Sequence, residues 1–532
     1  MFIRTIHQVN GKVSIQIVEN IRVNGKPKQK TLRHVATVNR TEIDMFMKVA
    51  EHIKSEMEDV KVPKHNDENP ISVNLRNMTE EYRIVTGIHE IYGGLYDNIK
   101  FPHVFKSCPR SSKVLKDIVM ARLAKPCSKR SSQELLAKNF GITIPIEKIY
   151  RMMDKFTPER INSIQDLCYI RSKSSLGGEV NVMFYDCTTL YFESFTEDEL
   201  RKFGYSKDHK FNQGQVLLAL MVTSEGLPIG YELFPGNINE GKTFKNAIDK
   251  IKKRYRLSKA VIVADSGLLS KENLELLEKE NYGYIIGARL KSLTIDWQNK
   301  ILYRDEYLNI EKEDDVFQVT TYNYTEKCKL VVTYSAKRSE KDRKDREKAI
   351  DKLMKKLESS KKPESLISNF GYKKYIVLDG NAKIKINEEK MIKDSLWDGL
   401  HGTFTNMKEM EVGEIIYHYH GLWQVEESFR INKHDLRMRP VFHWTPDRIQ
   451  AHICICFMAF ALIRFLQHKI KYENAESVSA ERIKRELFAV QESVLKDVTD
   501  GKRYVIPSKL SKDVMKIYKV MNKKWNTAPF RL

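Results

Sequence analysis

The sequence predicts a mixed α/β fold with a β-rich insertion, preceded by a small β/α region and a helical region. Apolar strands alternate with helical patterns from about residue 178, and two of these strands end in an aspartate. With 532 residues, the chain is too long for a single hydrophobic core. We therefore divide it into a basic β-hairpin and helix region at 1–65, a helical region at 66–170, an α/β domain at 171–467 with an insertion at about 289–400, and a basic C-terminal region at 468–532.

The composition indicates a polyanionic partner. The formal net charge is +21, from 91 Lys and Arg against 70 Asp and Glu. Folding and solubility do not need such an excess, and binding of a nucleic-acid backbone is its most common use. A ribosomal partner or an anionic membrane surface would also account for the charge. Composition alone therefore specifies a polyanion and no more.

The cysteines and the apolar stretches indicate a soluble protein of a reducing compartment. The seven cysteines form no CxxC pairs and have no neighbouring histidine ladder, which argues against the usual zinc motifs. The N-terminus lacks the apolar core of a signal peptide. The longest apolar stretch, 453–466, contains an arginine and is shorter than a bilayer span. We expect a cytoplasmic protein with free thiols and no membrane partner.

The first 40 residues predict two β-hairpins or a small meander. Their hydrophobicity alternates, and Asn-Gly pairs at 10–11 and 24–25 are strong turn signals. The segment carries eight basic residues against one acid, Glu19. A helix is predicted from Thr41 to about Met57, and a linker follows at 60–70.

Residues 75–165 have a helical pattern that contains the outline of a helix-turn-helix. The first helix, 131–141, closes on a glycine, and the second begins at Pro145 and runs to Phe156. Three basic residues near the ends of these helices favour DNA binding: Lys129, Arg130 and Arg151. A plain pair of packed helices has the same pattern, so both interpretations stand.

The α/β domain is predicted from a regular succession of apolar and amphipathic segments. They are strands at 181–186, 215–223 and 228–234, a helix at 242–255, a strand at 260–265, a helix at 271–280 and a strand at 284–288. The insertion adds β-type segments at 316–324 and 329–334, a charged helix at 337–362 and a strand at 375–379. Together these segments predict a mixed sheet with acidic residues at strand ends.

The segment 419–433 predicts a single helix with a charged stripe. At about 100° per residue, Tyr419, Glu426 and Lys433 fall within roughly 40° of one another. Arg430 and Trp423 lie alongside. A carboxylate between a tyrosine and two cations suits a site that holds a divalent metal and binds a polyanion. A salt-bridged surface helix has the same appearance.

Two aspartates that end apolar strands, Asp186 and Asp265, form with Glu426 a carboxylate set suited to Mg²⁺. Two such ions would activate the attacking oxygen and stabilise the leaving oxygen of an in-line phosphoryl transfer. Either aspartate alone is also explained by capping of the following turn. On the predicted helix, Glu427 is rotated about 100° from the stripe, which favours Glu426 as the ligand.

These acids resemble the Asp-Asp-Glu triad of bacterial insertion-sequence DDE transposases, which have a ribonuclease H-like catalytic domain. The similarity is closest to the group with the signature Tyr-x2-Arg-x3-Glu-x6-Lys. Tyr419, Glu426 and Lys433 fit that spacing, and Leu422 occupies the arginine position. The similarity covers about 180–465 and includes five further blocks, at 204–208, 215–216, 226–230, 234–237 and 437–440.

The resemblance implies a transposase that binds the terminal inverted repeats of its own mobile element and catalyses strand cleavage and strand transfer. It implies two Mg²⁺ ions, with Mn²⁺ as a substitute, held by Asp186, Asp265 and Glu426. Residues implied to hold DNA phosphates near the scissile bond are Tyr419, Arg430 and Lys433. The implied partners are double-stranded DNA, as element ends and target, and a second copy of the chain in a homodimeric synaptic complex. The implied location is the bacterial cytoplasm, at the nucleoid.

Two other functions remain open at this point. A metal-dependent nuclease on the same fold would cut without joining, and a non-catalytic descendant would only occupy DNA ends. Some relatives stack a flipped base on an aromatic side chain of the insertion, and Trp297 is the candidate here, with ordinary packing as the alternative. Because Mg²⁺ prefers oxygen ligands, three histidines near the charged helix are interpreted as polar or DNA-facing neighbours: His420, His434 and His443.

Overall fold

The computed structural model describes most of the chain. The described residues are 2–8, 12–23, 26–39, 71–193, 196–204, 212–255, 260–312, 315–359, 374–378 and 384–532, with further single positions between 43 and 54. They form two compact units. The first unit combines Met1–Arg83 with Gln491–Ser511 and Lys524–Leu532, and the second combines Ile84–Val490 with Lys512–Lys523.

The strands of the described residues are β1 (Phe2–His7), β2 (Val13–Val23), β3 (Lys26–Val38), β4 (Met78–Val85), β5 (Val182–Tyr191), β6 (Gln215–Thr223), β7 (Pro228–Pro235), β8 (Val261–Ala264), β9 (Gly283–Ala288), β10 (Leu308–Lys312), β11 (Asp315–Asn323), β12 (Lys329–Ser335), β13 (Ile376–Leu378), β14 (Ile384–Ile386), β15 (Leu400–Thr405), β16 (Gln491–Asp497), β17 (Arg503–Pro507) and β18 (Phe530–Arg531).

The helices are α1 (Gly87–Asn98), α2 (Phe101–Val104), α3 (Pro109–Ala124), α4 (Lys129–Phe140), α5 (Ile146–Met153), α6 (Pro158–Ser175), α7 (Glu240–Tyr255), α8 (Lys271–Lys279), α9 (Ile295–Leu302), α10 (Ala336–Ser359), α11 (Glu388–Ser395), α12 (Val412–His420), α13 (Trp423–Arg430), α14 (Pro446–Asn474), α15 (Ala480–Phe488) and α16 (Lys512–Val520). A π-helical turn, Ile431–Asp435, follows α13 directly.

The first unit contains two antiparallel sheets. Strands β1, β2 and β3 form the predicted meander, although the two Asn-Gly turns and the predicted linker at 60–70 lie outside the described residues. Single described positions between 43 and 54 are helical, in agreement with the helix predicted there. The second sheet has the order β18-β17-β16-β4, so residues near 80 pair with residues near 495. Strand β4 lies where a helical pattern was predicted, and its pairing partner is more than 400 residues away in sequence.

The second unit is built on a mixed sheet with the order β10-β11-β12-β15-β9-β8-β5-β6-β7. Strand β5 runs parallel to β8, and β8 runs parallel to β9. The other pairings in this sheet are antiparallel. The predicted insertion is therefore part of the main sheet, because β15 pairs with β9 and carries β12, β11 and β10 outward.

The central strands are buried on both faces, which explains their nearly continuous apolar sequences. Alternate residues of β5 point to opposite faces. Tyr185 hydrogen-bonds Thr243 of α7 at 3.0 Å on one face. On the other face, the Phe184 ring packs against Gly421, and a Cβ atom added to Gly421 would lie 2.5 Å from the ring. Asp186 is on the same face as Phe184 because the two are two residues apart.

Helix α14 is the long core helix of this unit. The expectation that the apolar stretch at 453–466 is too short to span a membrane is wrong, because the helix extends to 29 residues and is long and apolar enough by composition. However, 94% of its most apolar window is buried inside the protein. A helix that is apolar on all sides and covered by other elements is the core helix of a globular unit.

Candidate active site

Asp186 and Asp265 stand side by side on neighbouring parallel strands. The register pairs Tyr185 with Ala264, so the next residue on each strand is an aspartate. Parallel strands are about 4.8 Å apart. Asp265 follows the last residue of β8, as predicted, whereas Asp186 lies inside β5 and not at its end. The reason is that β5 continues in antiparallel pairing with β6 as far as Tyr191, after β8 has ended.

Each aspartate accepts a hydrogen bond from the following backbone amide. The Cys187 N–H donates to Asp186 Oδ1 at 2.7 Å, and the Ser266 N–H donates to Asp265 Oδ1 at 2.6 Å. Asp265 thereby caps a short 3-10 turn, Ser266–Leu268. Turn capping and metal binding are compatible, because a carboxylate has a second oxygen and further lone pairs. Asp186 is half-buried and Asp265 is exposed.

The predicted single helix over 419–433 is interrupted twice. Helix α12 ends at His420, and α13 begins at Trp423. Between them the hydrogen bonds shorten to the i−3 type, from Leu422 N–H to Tyr419 O at 3.1 Å and from Gln424 N–H to Gly421 O at 2.9 Å. After Arg430 the chain widens into the π-helical turn, where the Leu436 N–H donates to Ile431 O at 2.8 Å. The 100° rule therefore does not apply across the whole segment.

Tyr419 joins the helical segment to the two-aspartate edge of the sheet. Its hydroxyl packs against Gly287 of β9. A Cβ atom added to Gly287 would lie 2.5 Å from the Tyr419 hydroxyl and 3.0 Å from the Ser266 amide nitrogen. Burial raises the pKa of Tyr419 well above its usual value, and the negative charges of Asp265 and Glu426 raise it further. The Tyr419 hydroxyl is therefore within electrostatic reach of both carboxylates. Glu426 itself is exposed on α13.

His401 is a residue of this site that the sequence pattern did not indicate. It lies on β15, and its ring centre is 4.9 Å from that of Tyr419. Packing around the ring lowers the pKa of His401, as do the charges of His420 and Arg338, while Asp265 raises it. No local signal identifies His401, because β15 reaches the site only by pairing with β9.

Gln424 and Arg464 fix the position of helix α13. The buried Arg464 of α14 donates to Gln424 Oε1 at 2.7 Å, and also to the Gly226 and Glu225 carbonyl oxygens at 2.9 and 3.0 Å. Gly226 has φ +71°, and a Cβ atom there would come within 1.8 Å of Arg464 Nη2. The space beside this glycine is therefore filled by Arg464, which holds α13 against the β6–β7 connection.

The two cations of the predicted stripe have protein partners. Arg430 donates two hydrogen bonds of 2.6 Å to Glu427, and its Nη1 lies 3.3 Å from Asp435. Lys433 is half-buried in the π-helical turn, with Nζ 5.7 Å from the centre of the Phe429 ring. Contact of either residue with DNA stays a prediction.

Several other candidates are packed within the protein. Trp297 lies 5.1 Å from Tyr324 and 5.9 Å from Tyr322, between ring centres, which favours ordinary packing over base stacking. Lys129, expected near DNA, is only 4% exposed, whereas Arg130 and Arg151 are exposed. Among the three histidines, His420 and His434 are exposed and His443 is half-buried.

The carboxylates fit divalent-metal chemistry by donor type, since Asp186 and Asp265 are adjacent and Asp265 and Glu426 both act on Tyr419. Within the described part of the chain, however, no three His, Cys, Asp or Glu side chains are close enough to form a ready metal cage. The three side chains would have to turn toward a shared ion.

Comparisons with known proteins identify the family. The model of the family described as "Transposase DDE domain" matches residues 180–462, and no curated protein sequence matches the chain. Among solved structures, a piggyBac transposase synaptic complex with hairpin DNA is similar at 10% identity and a TM-score of 0.37, over 70% of this chain and 68% of that chain. A Mos1 mariner paired end complex with Mn is similar at 12% identity and a TM-score of 0.14, over 30% and 54%.

A Mos1 paired end complex with Mg has 11% identity and a TM-score of 0.14, over 44% of this chain and 66% of that chain. Such low TM-scores carry no argument of their own, and this chain spans little more than half of the first Mos1 chain. The family match, by contrast, covers more than half of this chain and includes all three acids of the site. The chain therefore belongs to the transposase DDE domain family.

Proposed function

We propose that this protein is a DNA transposase that binds the terminal inverted repeats of its own mobile element and catalyses metal-dependent strand cleavage and strand transfer. The observation that carries the proposal is the placement of Asp186 beside Asp265 on parallel strands, with Asp265 and Glu426 both acting on the Tyr419 hydroxyl. The strand order β9-β8-β5-β6-β7, with β5, β8 and β9 parallel, supports a ribonuclease H-like catalytic core.

The carboxylates of Asp186, Asp265 and Glu426 would hold two Mg²⁺ ions, with Mn²⁺ as a substitute. Bound there, the ions would activate water or a 3′-hydroxyl and stabilise the leaving oxygen. The protein's own contribution is orientation. The amides of Cys187 and Ser266 fix one oxygen of each aspartate, and Arg464 fixes the helix that carries Glu426 through Gln424.

Tyr419, Arg430 and Lys433 would hold DNA phosphates near the scissile bond. Arg430 keeps a guanidinium that is 46% exposed while it is bound to Glu427, so a phosphate would share it with that carboxylate. Such contacts position the DNA without reading its sequence. Recognition of the terminal repeats is assigned to residues 1–165, whose first 40 residues carry eight basic side chains.

The partners we propose are element ends, target DNA and a second copy of the chain in the synaptic complex. The net charge of +21 supports a DNA partner. We place the protein in the bacterial cytoplasm, at the nucleoid.

The triad is tested by Asp186→Ala, Asp265→Ala and Glu426→Gln in a Mg²⁺-dependent cleavage assay on DNA that carries the element ends. Each variant is expected to lower the cleavage rate by at least about 10³-fold, because one carboxylate ligand of the metal site is missing. Binding of the element ends is expected to be retained. Glu272→Gln on α8 is the matched control, since Glu272 is an exposed glutamate outside the candidate site. Retained cleavage in any triad variant would remove that residue from the site.

A strand-transfer assay with pre-cleaved 3′ ends tests the joining step. Joined products support a transposase, and cutting without joining would establish the nuclease alternative. End binding without either reaction would establish a non-catalytic DNA-end-binding protein.

A further inference from the structure

A second cluster of basic side chains lines an open pocket between helices α3, α4, α5 and α14 and the segment after the π-helical turn. We call it the basic pocket. Its charged lining residues are Arg122, Lys129, Arg130, Arg437, Arg439, His443 and His452. Of the described residues that line it, none is Asp or Glu. Asp154, one turn beyond the lining residue Tyr150, is neutralised by Arg448 at 2.7 Å.

The floor of the basic pocket holds two buried cations. Lys129 and Arg122 are each 4% exposed. Arg122 Nη1 donates to the Leu436 carbonyl oxygen at 3.2 Å, and Lys129 Nζ lies 3.4 Å from His452 Nδ1. His452 Nε2 lies 3.1 Å from the Met438 carbonyl oxygen, which fixes the proton on Nε2 and leaves Nδ1 as the acceptor. Neither cation is bound to a carboxylate in these contacts.

Burial and mutual repulsion lower the pKa of basic groups in the pocket. Burial first, and then the charge of Arg122, lower the pKa of Lys129 to about 7. Burial, Lys129 and Arg122 also lower the pKa of His443 to about 3. Burying like charges together is costly unless an anion offsets them. An anion bound in the pocket would offset these charges.

Helix α4 adds its N-terminus to the same pocket. Ser128 caps the helix by accepting from the Ser131 N–H at 3.1 Å. The amides of Lys129 and Arg130, the first two of this 12-residue helix, have no acceptor within the helix. Helix N-termini bind phosphates through such amides and through the helix dipole.

We propose that the basic pocket binds a backbone phosphate of the DNA on which the catalytic site acts. The proposal rests on the proposed function, because it assigns a second contact to the same DNA. The Arg439 guanidinium lies 5.4 Å from the centre of the Tyr191 ring, and Tyr191 is five residues along β5 from Asp186. At about 3.3 Å per residue, this is roughly 17 Å. Because a duplex rises about 3.4 Å per base pair, a DNA segment of several base pairs held at the aspartates is long enough to reach the pocket.

The test uses the full chain and a labelled duplex of generic sequence, because phosphate contacts do not depend on sequence. The dissociation constant is measured between about 50 and 200 mM salt for wild type, Arg130→Gln and Arg437→Gln. Both side chains are exposed, so their removal leaves the core intact. Each variant is expected to bind more weakly and to lose about 0.9 from the slope of log K against log salt. Arg485→Gln on α15, 71% exposed, is the matched control and is expected to keep the wild-type slope.

Wild-type slopes in both pocket variants, or the same loss in Arg485→Gln, would overturn the proposal. If the pocket instead served a free phosphate compound, inorganic pyrophosphate would raise the melting temperature of wild type but not of Arg130→Gln, and the DNA slopes would be equal. The two proposals fail separately. If wild type cleaves DNA and the pocket variants keep the wild-type salt slope, only the pocket proposal is wrong. If the pocket variants have reduced salt slopes and wild type cleaves no DNA, only the proposed function is wrong.

Discussion

At the scale of single residues, neighbouring side chains of α13 are divided between two roles. Glu427 is occupied by two hydrogen bonds from Arg430, while Glu426 contributes to the field at the Tyr419 hydroxyl. The sequence favours the same glutamate, but Tyr419 and Lys433, against which its phase was taken, lie beyond the breaks on either side of α13. Metal binding by Glu426 stays a prediction. The sequence could not indicate that Arg430 also meets Asp435, since that contact depends on the π-helical turn.

Lys129 predicts a pH dependence of stability. Its pKa falls from 10.5 to about 7 on folding, chiefly through burial and then through Arg122, while Cys456 and Cys127 oppose the shift. Below pH 7 both states carry the proton, and the folded chain bears the cost of a buried charge. Between pH 7 and 10.5 the folded state releases a proton that the unfolded state keeps, so stability rises with pH. Lys129→Met is expected to raise the melting temperature at about pH 6, with a gain that shrinks toward pH 10.

Lys138→Met on the same helix is the control, because Lys138 is exposed. Its melting temperature should follow wild type across the range. A gain for Lys129→Met that does not change with pH would show that Lys129 is not the titrating group. The other ionisable groups that face Lys129 are Arg122, Cys127, His443, His452 and Cys456.

Gly287 predicts a steric test of Tyr419. A methyl group at Gly287 would meet the Tyr419 hydroxyl at 2.5 Å and the Ser266 amide nitrogen at 3.0 Å. Gly287→Ala should therefore displace Tyr419 and lower cleavage by about 10-fold or more, since a small misplacement near reacting groups is costly. Gly413→Ala is the matched control, because nothing lies within 4 Å of a Cβ atom there. Equal cleavage rates for the two variants would show that the position of Tyr419 does not affect the reaction.

At the scale of secondary-structure elements, local patterns identified what depends on local sequence. The bounds of β6 agree with the prediction because a run of buried apolar residues is closed by a turn at Ser224 and Glu225 that ends on Gly226. The break between α12 and α13 was signalled by Gly421 but not predicted. That glycine is needed because a Cβ atom would meet the Phe184 ring of β5, a contact invisible in the local sequence.

Arg464 predicts how strongly α13 depends on its support. Removing its guanidinium leaves the carbonyl oxygens of Gly226 and Glu225 and the Gln424 amide oxygen without their donor. Each buried acceptor left without a partner costs about 1–3 kcal/mol. Arg464→Met should lower the free energy of unfolding in urea by about 3 kcal/mol or more. Arg485→Met, at an exposed position, should change it by less than about 0.5 kcal/mol. A small loss at Arg464 would refute its supporting role.

At the scale of the whole molecule, long-range pairing explains what the sequence could not predict. The insertion extends the main sheet because β15 pairs with β9, and no local pattern specifies a pairing partner. Burial of Lys129 depends on His452, 323 residues away. The three acids, by contrast, could be predicted as a site because each lies in a strong local pattern, an apolar strand for the aspartates and an amphipathic helix for Glu426.

The two compact units predict separate responses to core substitutions. Val505 of β17 is 2% exposed in the first unit, and Val505→Ala should cost about 2 kcal/mol. Hydrogen exchange should then accelerate in β4 and β16, which share its sheet, and stay unchanged in β5 and β6. Val263→Ala in β8 is the reciprocal control. Faster exchange in both units from either substitution would mean that they open together.

The sheet that pairs β16 with β4 has a consequence for synthesis. On the ribosome, β4 emerges more than 400 residues before the strand that covers its edge. The Ile84–Val490 part of the large unit therefore emerges before β16, and until then the backbone groups on this edge of β4 have no strand to pair with. A product that stops translation before residue 491 cannot complete this sheet and exposes an aggregation-prone edge. Only chains translated through 491–531 acquire both units.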